Sequence, residues 1–119
     1  MHVYASVCRS ELWQLEMAGK LKFNKLGPWW NNNVEIDSVG IDGTGNDIVF
    51  TECKYRTQPM DTDVFCDLLR KKELVPWEKE NRIEKFVLFS ISGFTERLRS
   101  MANKRKDLLL FGGDGQLEA

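Results

Sequence analysis

Histidine is almost missing from this sequence: His2, beside the first residue, is the only one. Chemistry built on a His–Asp–Ser relay or on paired histidine metal ligands therefore lacks its central part. Cysteine is sparse too. Cys8, Cys53 and Cys66 form an odd, widely spaced set with no CxxC pair. That argues against a thiolate zinc site and a disulfide framework, and fits free thiols in a reducing compartment. No stretch approaches the roughly 18 apolar residues of a membrane span, and no basic-then-apolar leader opens the chain. The expectation is a cytoplasmic protein. Nor does one sign of charge dominate: 17 Lys and Arg against 18 Asp and Glu leave a net charge of −1. A protein that coats nucleic acid is far more basic. A metal-dependent enzyme acting on nucleic acid stays open, because its carboxylates would offset basic residues in the count. No GK[ST] follows a glycine-rich turn, so there is no phosphate loop for ATP.

What is present suits one α/β domain spanning 1–119. With 42% hydrophobic residues in 119, the chain can bury one core. From about Tyr4 to Ala18, the residues Tyr4, Val7, Cys8, Leu12, Leu15 and Ala18 recur at helical spacing, and Gly19 ends the run. Pro28-Trp29-Trp30 leads into or forms a short strand, and Asn31-Asn32-Asn33 is a turn signal. Val34 to Ile41 and Asp47 to Tyr55 read as strands around the loop Asp42-Gly43-Thr44-Gly45-Asn46. The second of these is nearly all apolar, as in a central strand covered on both faces. Asp61 or Thr62 caps a helix carrying Val64, Phe65, Leu68 and Leu69, and Pro76 stops it. Phe86 to Ile91 is a buried strand. Phe94, Leu98, Met101 and Ala102 mark another helix, and Leu108 to Phe111 a last strand. A loose tail is expected from Gly112-Gly113-Asp114-Gly115. The crossovers place the later strands parallel. The first helix starts within a few residues of Met1, as an excised C-terminal domain would, and as a short natural protein would.

Charge inside the most apolar strand is the feature that points to chemistry. Glu52 and Lys54 share one strand face; Glu35 and Asp37 share a face of the preceding strand. The hairpin brings the Asp37 and Glu52 regions together. Buried charges cost free energy unless paired or bound to metal. Two carboxylates and an ammonium suit a hard cation such as Mg²⁺, with the lysine orienting a water. The same trio also reads as a structural ion pair, Glu52 with Lys54 or Asp37 with Lys54.

An Asp, a hairpin, then Glu-x-Lys and a helix resembles the PD-(D/E)XK nuclease superfamily. More specifically, Gly27-Pro28-Trp29-Trp30, Glu35-Ile36-Asp37 and Glu52-Cys53-Lys54-Tyr55 resemble the C-terminal nuclease-like domain of archaeal and bacterial AAA-type (DEXX-box) ATPases. The resemblance covers roughly Tyr4 to Phe111. It implies a restriction-endonuclease-like three-layer α/β/α fold with a mixed central sheet, in the order α-β-β-β-α-β with an extra helix and strand. It implies a Mg²⁺- or Mn²⁺-dependent nuclease acting on nucleic acid, DNA before RNA. Asp37 and Glu52 would bind metal, with the Cys53 main-chain carbonyl as a further ligand and Lys54 as catalytic lysine. The ATPase-linked family places a further glutamate after an aromatic in the first helix. That position here is Ala5, so either Glu11, inside the apolar arc of that helix, supplies the carboxylate or the site does without it. The alternative is a non-catalytic module that binds nucleic acid or contacts an attached AAA-type ATPase; a purely structural assembly domain is a third.

Other residues carry two readings. Trp29 and Trp30 could stack on bases, though packing in the core is the commoner use of such a pair. Arg70-Lys71-Lys72 and Lys104-Arg105-Lys106 could grip phosphates or form solvated helix faces. Cys66, among apolar helix positions, is expected to be buried and inert.

Overall fold

A computed structural model describes residues 3–112. His2 and the expected tail from Gly113 onward lie outside the described residues, as do the side chains of Tyr4 and Ala5. The elements run α1 (Val3–Met17), β1 (Lys25–Asn31), β2 (Val34–Ile41), β3 (Asp47–Lys54), α2 (Thr62–Lys72), β4 (Ile83–Ser90), α3 (Glu96–Asn103) and β5 (Leu108–Gly112). This is the expected mixed α/β order.

The sheet is ordered β1-β2-β3-β4-β5. β1, β2 and β3 pair antiparallel; β3, β4 and β5 pair parallel. Helical crossovers join the parallel strands, as such connections require. Side-chain alternation along β3 separates two cores. Ile48 and Phe50 face a layer containing Phe65 and Leu68 of α2 and Leu98 and Ala102 of α3. Val49 and Cys53 face Cys8, Leu12 and Leu15 of α1. Three layers result, and β3 is buried on both sides because it is central.

Local signals set the helix ends. Gly19, at φ +79, closes α1: its N–H reaches Glu16 O at 3.0 Å, and that of Lys20 reaches Leu15 O at 2.9 Å. This pairing satisfies the last carbonyls and needs a left-handed residue, which glycine supplies most cheaply. Asp61 caps α2, accepting from Thr62 N at 2.7 Å and from Thr95 Oγ1 at 2.8 Å. Its carboxylate also pairs with Arg97, so one residue ties the start of α2 to α3. Those donors hold the Asp61 carboxyl down at about 2, with the Arg97 contact the largest cause. At the other end, the buried Arg82 guanidinium donates to the carbonyls of Lys72, Val75 and Trp77 and pairs with Glu84 at 2.9 Å. It fixes the exit of α2 against β4.

Several expectations are corrected. Val7 and Ala18 are exposed; among the described side chains, Cys8, Leu12 and Leu15 form the buried stripe of α1. Cys66 is exposed, because it lies about 160° from Leu68 around α2. Trp29 packs against the larger core, but Trp30 is 63% exposed, since successive strand residues face opposite sides. β4 begins at Ile83, three residues before its apolar run, where Asp47 pairs with Ile83.

Candidate active site

The site forms where the β2–β3 hairpin opens. Between Gly27↔Val39 and Trp29↔Ile36, β1 advances two residues and β2 advances three. Asp37-Ser38 therefore holds a bulge, which re-aims side chains and ends regular pairing. The β2–β3 register runs from Ile41↔Ile48 only to Ser38↔Thr51. At the next step, Asp37 Oδ2 accepts from the Cys53 N–H at 2.8 Å. A side chain thus replaces a rung of the ladder, and the strands part beyond it.

Glu52, beside this contact, is 3% exposed. Burial pushes its carboxyl up to about 7, and contact with Asp37 adds to the rise. Opposing both, Lys71 of α2 donates to Glu52 Oε2 at 2.7 Å, and also pairs with Asp67 at 3.3 Å. Lys54 is half-buried at the mouth of the same cleft, which Glu52, Arg56, Asp63 and Arg70 also line. Among the described residues Lys54 forms no ion pair, so neither structural pair expected for it is made. Cys53 turns its thiol to the α1 side, towards Cys8, and its thiol is held well above the usual range, chiefly by Cys8.

The structure therefore brings Asp37, Glu52, Lys54 and the Cys53 main chain together. Glu11 is half-buried on α1. No third His, Cys, Asp or Glu joins Asp37 and Glu52 in a metal-holding group among the described residues. Lys71 is the residue that sequence reasoning missed. The basic run Arg70-Lys71-Lys72 divides: Arg70 is exposed and pairs with Asp67, as a solvated face would have it, whereas Lys71 turns to Glu52 and Lys72 to Glu73 and Glu84. A helical arc test could have flagged Lys71, which follows Val64 and Leu68 at i+7 and i+3.

The donors fit a hard divalent cation. Of two adjacent carboxylates, one is pushed towards protonation by its burial, so a bound cation would favour the ionised form, and Mg²⁺ is commonly held by one or two carboxylates while keeping waters. An ammonium already sits against Glu52, so the pocket accommodates a cation there.

Comparison with solved structures supports the class of fold. A crystal structure of a repair endonuclease from Pyrococcus abyssi superposes with a TM-score of 0.50 at 18% identity, over 86% of this chain and 45% of that one. The fold is nuclease-like. Residues 1–73 match the DUF234 family, described as archaeal and bacterial proteins of unknown function, and the chain belongs to that family. It is also 35% identical over 78 residues to the uncharacterized protein MJECL04 of Methanocaldococcus jannaschii, covering 61% of this chain and 18% of that protein. The chain thus spans under a fifth of that relative. Among the described residues no helix is long and apolar enough to cross a membrane.

Proposed function

We propose that this domain is a metal-dependent phosphodiesterase that hydrolyses nucleic acid, DNA before RNA. The observation that carries the reading is the Asp37 carboxylate on the Cys53 N–H, at 2.8 Å, against the buried Glu52. In this reading Asp37 and Glu52 hold Mg²⁺ or Mn²⁺, and the Cys53 carbonyl adds an oxygen. The bound ion would lower the pKa of a water and offset charge developing on the phosphate. The chain's own residues orient and neutralise. The bulge fixes Asp37, and the buried wall around Glu52 excludes bulk water. Lys54, lacking an ion-pair partner among the described residues, is free to donate to the water or to a phosphate oxygen. Glu11 is assigned the first-helix carboxylate role, which Glu11→Gln tests by cleavage rate apart from the strand carboxylates.

We further assign residues 1–119 to one nuclease-like domain of a longer cytoplasmic polypeptide carrying an AAA-type ATPase. The motif resemblance and the small share of the methanogen relative that this chain covers support that assignment. A second reading, a module that binds nucleic acid without cutting it, is favoured by the departure at Ala5, where the resembled family carries a glutamate, and by finding no group of three metal-ligating side chains among the described residues.

The deciding experiment is a calorimetric Mn²⁺ titration beside the Asp37→Ala/Glu52→Ala variant, followed by cleavage assays on DNA and RNA with Mg²⁺. Binding lost in the variant, with cleavage, is the expected result. A folded protein that binds no metal, or that binds nucleic acid yet leaves it uncut with Mg²⁺ or Mn²⁺ present, would sink the catalytic reading.

A further inference from the structure

We infer that Lys71 is a positioning residue of this site, a resident counter-ion that a divalent cation must compete with for Glu52. The inference rests on the phosphodiesterase reading above, because it takes Glu52 as a metal ligand.

The geometry is specific. Lys71 Nζ lies 2.7 Å from Glu52 Oε2, and the two side chains are 22% and 4% exposed. A pair so placed is held tightly, since water cannot replace either partner freely. The helix keeps the lysine in place. Phe65 and Leu68 anchor α2 in the core, and Asp67, one turn earlier on the same helix, takes the other side of the ammonium at 3.3 Å. Lys71 is thus suspended between an exposed-side carboxylate and a buried one. Asp67 is the partner that retains it when Glu52 turns to a metal.

The lysine has two consequences. It aims Oε2 of Glu52 towards α2, fixing how the carboxylate is presented beside Asp37. It also places a positive charge within a few ångströms of any cation held by that pair. Like charges at such separation repel strongly in a site shielded from water. Cation affinity is accordingly lower than two adjacent carboxylates would give alone. A neighbour of the same type does nothing comparable: Lys72 pairs with Glu73 and Glu84, away from the site.

The test compares Mn²⁺ affinity by calorimetry, at mildly alkaline pH, in the intact chain and in Lys71→Met, Lys71→Gln and Lys71→Arg. Lys71→Met and Lys71→Gln should bind about tenfold more tightly or better, Lys71→Arg within about threefold of the parent, since it restores the charge. Adding Asp37→Asn to Lys71→Met should abolish the gain. A second readout needs no variant. Mn²⁺ should increase labelling of the Lys71 amine by an amine-reactive reagent, measured by mass spectrometry against Lys72 as reference. Unchanged or weaker affinity in a folded Lys71→Met or Lys71→Gln, with metal still bound by the parent, overturns the inference and leaves the phosphodiesterase reading standing. So does labelling of Lys71 that metal does not alter. Silence in parent and variants alike overturns both.

Discussion

Two buried carboxylates sit at opposite ends of the same hairpin, each facing a lysine, and their chemistry diverges. Asp42, at the closed end, accepts from the Thr44 N–H at 3.0 Å and from its hydroxyl at 2.7 Å, with Lys22 at 3.3 Å. Those donors lower its pKa, the Thr44 hydroxyl foremost. Glu52, at the open end, is as little exposed, yet burial and the neighbouring Asp37 push it up to about 7 despite Lys71. Surface exposure does not separate the two; the deeper burial of Glu52 and the richer supply of donors at Asp42 do. A tight turn brings main-chain N–H groups to a short side chain. Glycine allows that closeness at Gly45, where a Cβ would lie 2.9 Å from Asp42 Oδ2. At the open end the Cys53 N–H is taken by Asp37, not by Glu52. One end holds its carboxylate ionised with turn donors and reads as structural; the other buries a carboxylate against a second one and reads as a site.

The sharpest way to break that contrast is to delete the open-end carboxylates. Asp37→Ala or Glu52→Ala should reduce Mg²⁺-dependent cleavage about 10³-fold or more, measured as single-turnover rates, with the fold retained by circular dichroism. Lys54→Met should cost about 10²–10³-fold without loss of Mn²⁺ binding. Smaller, and opposite in sign at the two ends, is the pH dependence of stability in metal-free protein. The Glu52 carboxyl rises from 4.5 to about 7 on folding, so the folded state loses stability as pH climbs between those values. The loss is on the order of 3 kcal/mol in denaturant titrations, and it should vanish in Glu52→Gln. Asp42 has a depressed value, so its contribution is present above about 3.8 and lost on acidification through its folded pKa. Asp42→Ala should remove that acid sensitivity, lower Tm by several degrees and leave Mn²⁺ affinity alone. Smallest is Asp61→Asn, which keeps the cap but loses the charge on Arg97. It should lower Tm by a degree or two and flatten stability between about pH 4 and 2, where the wild-type carboxyl titrates.

Much of this was legible in the residues. Val34–Ile41, the loop through residues 42–46 and the start of β3 at Asp47 match their sequence signals, because alternation and turn chemistry are local. The approach of Asp37 to Glu52 followed from the hairpin. The bulge did not, since no residue type at Asp37-Ser38 announces it; it is set by how β1 pairs with β2. Lys71 was hidden for a related reason. It lies 19 residues from Glu52 in sequence, and only the docking of α2 on the sheet brings them together. Trp30 and Cys66 misled because composition says what prefers burial, whereas strand and helix phase decide which side chain gets it. Cys66 should accordingly react quickly with a thiol reagent in the folded protein, and Cys8, at 1% exposure, only on unfolding.

Pro28 lies exposed in β1, the outermost strand, between the paired residues Gly27 and Trp29. It has no N–H to offer a further strand, and the mismatch in register beside it bends the rim. An unblunted rim would be a template on which another chain could polymerise, strand on strand. The same short stretch that delivers Trp29 to the core thus also leaves that edge without the regular row of donors a further strand would need.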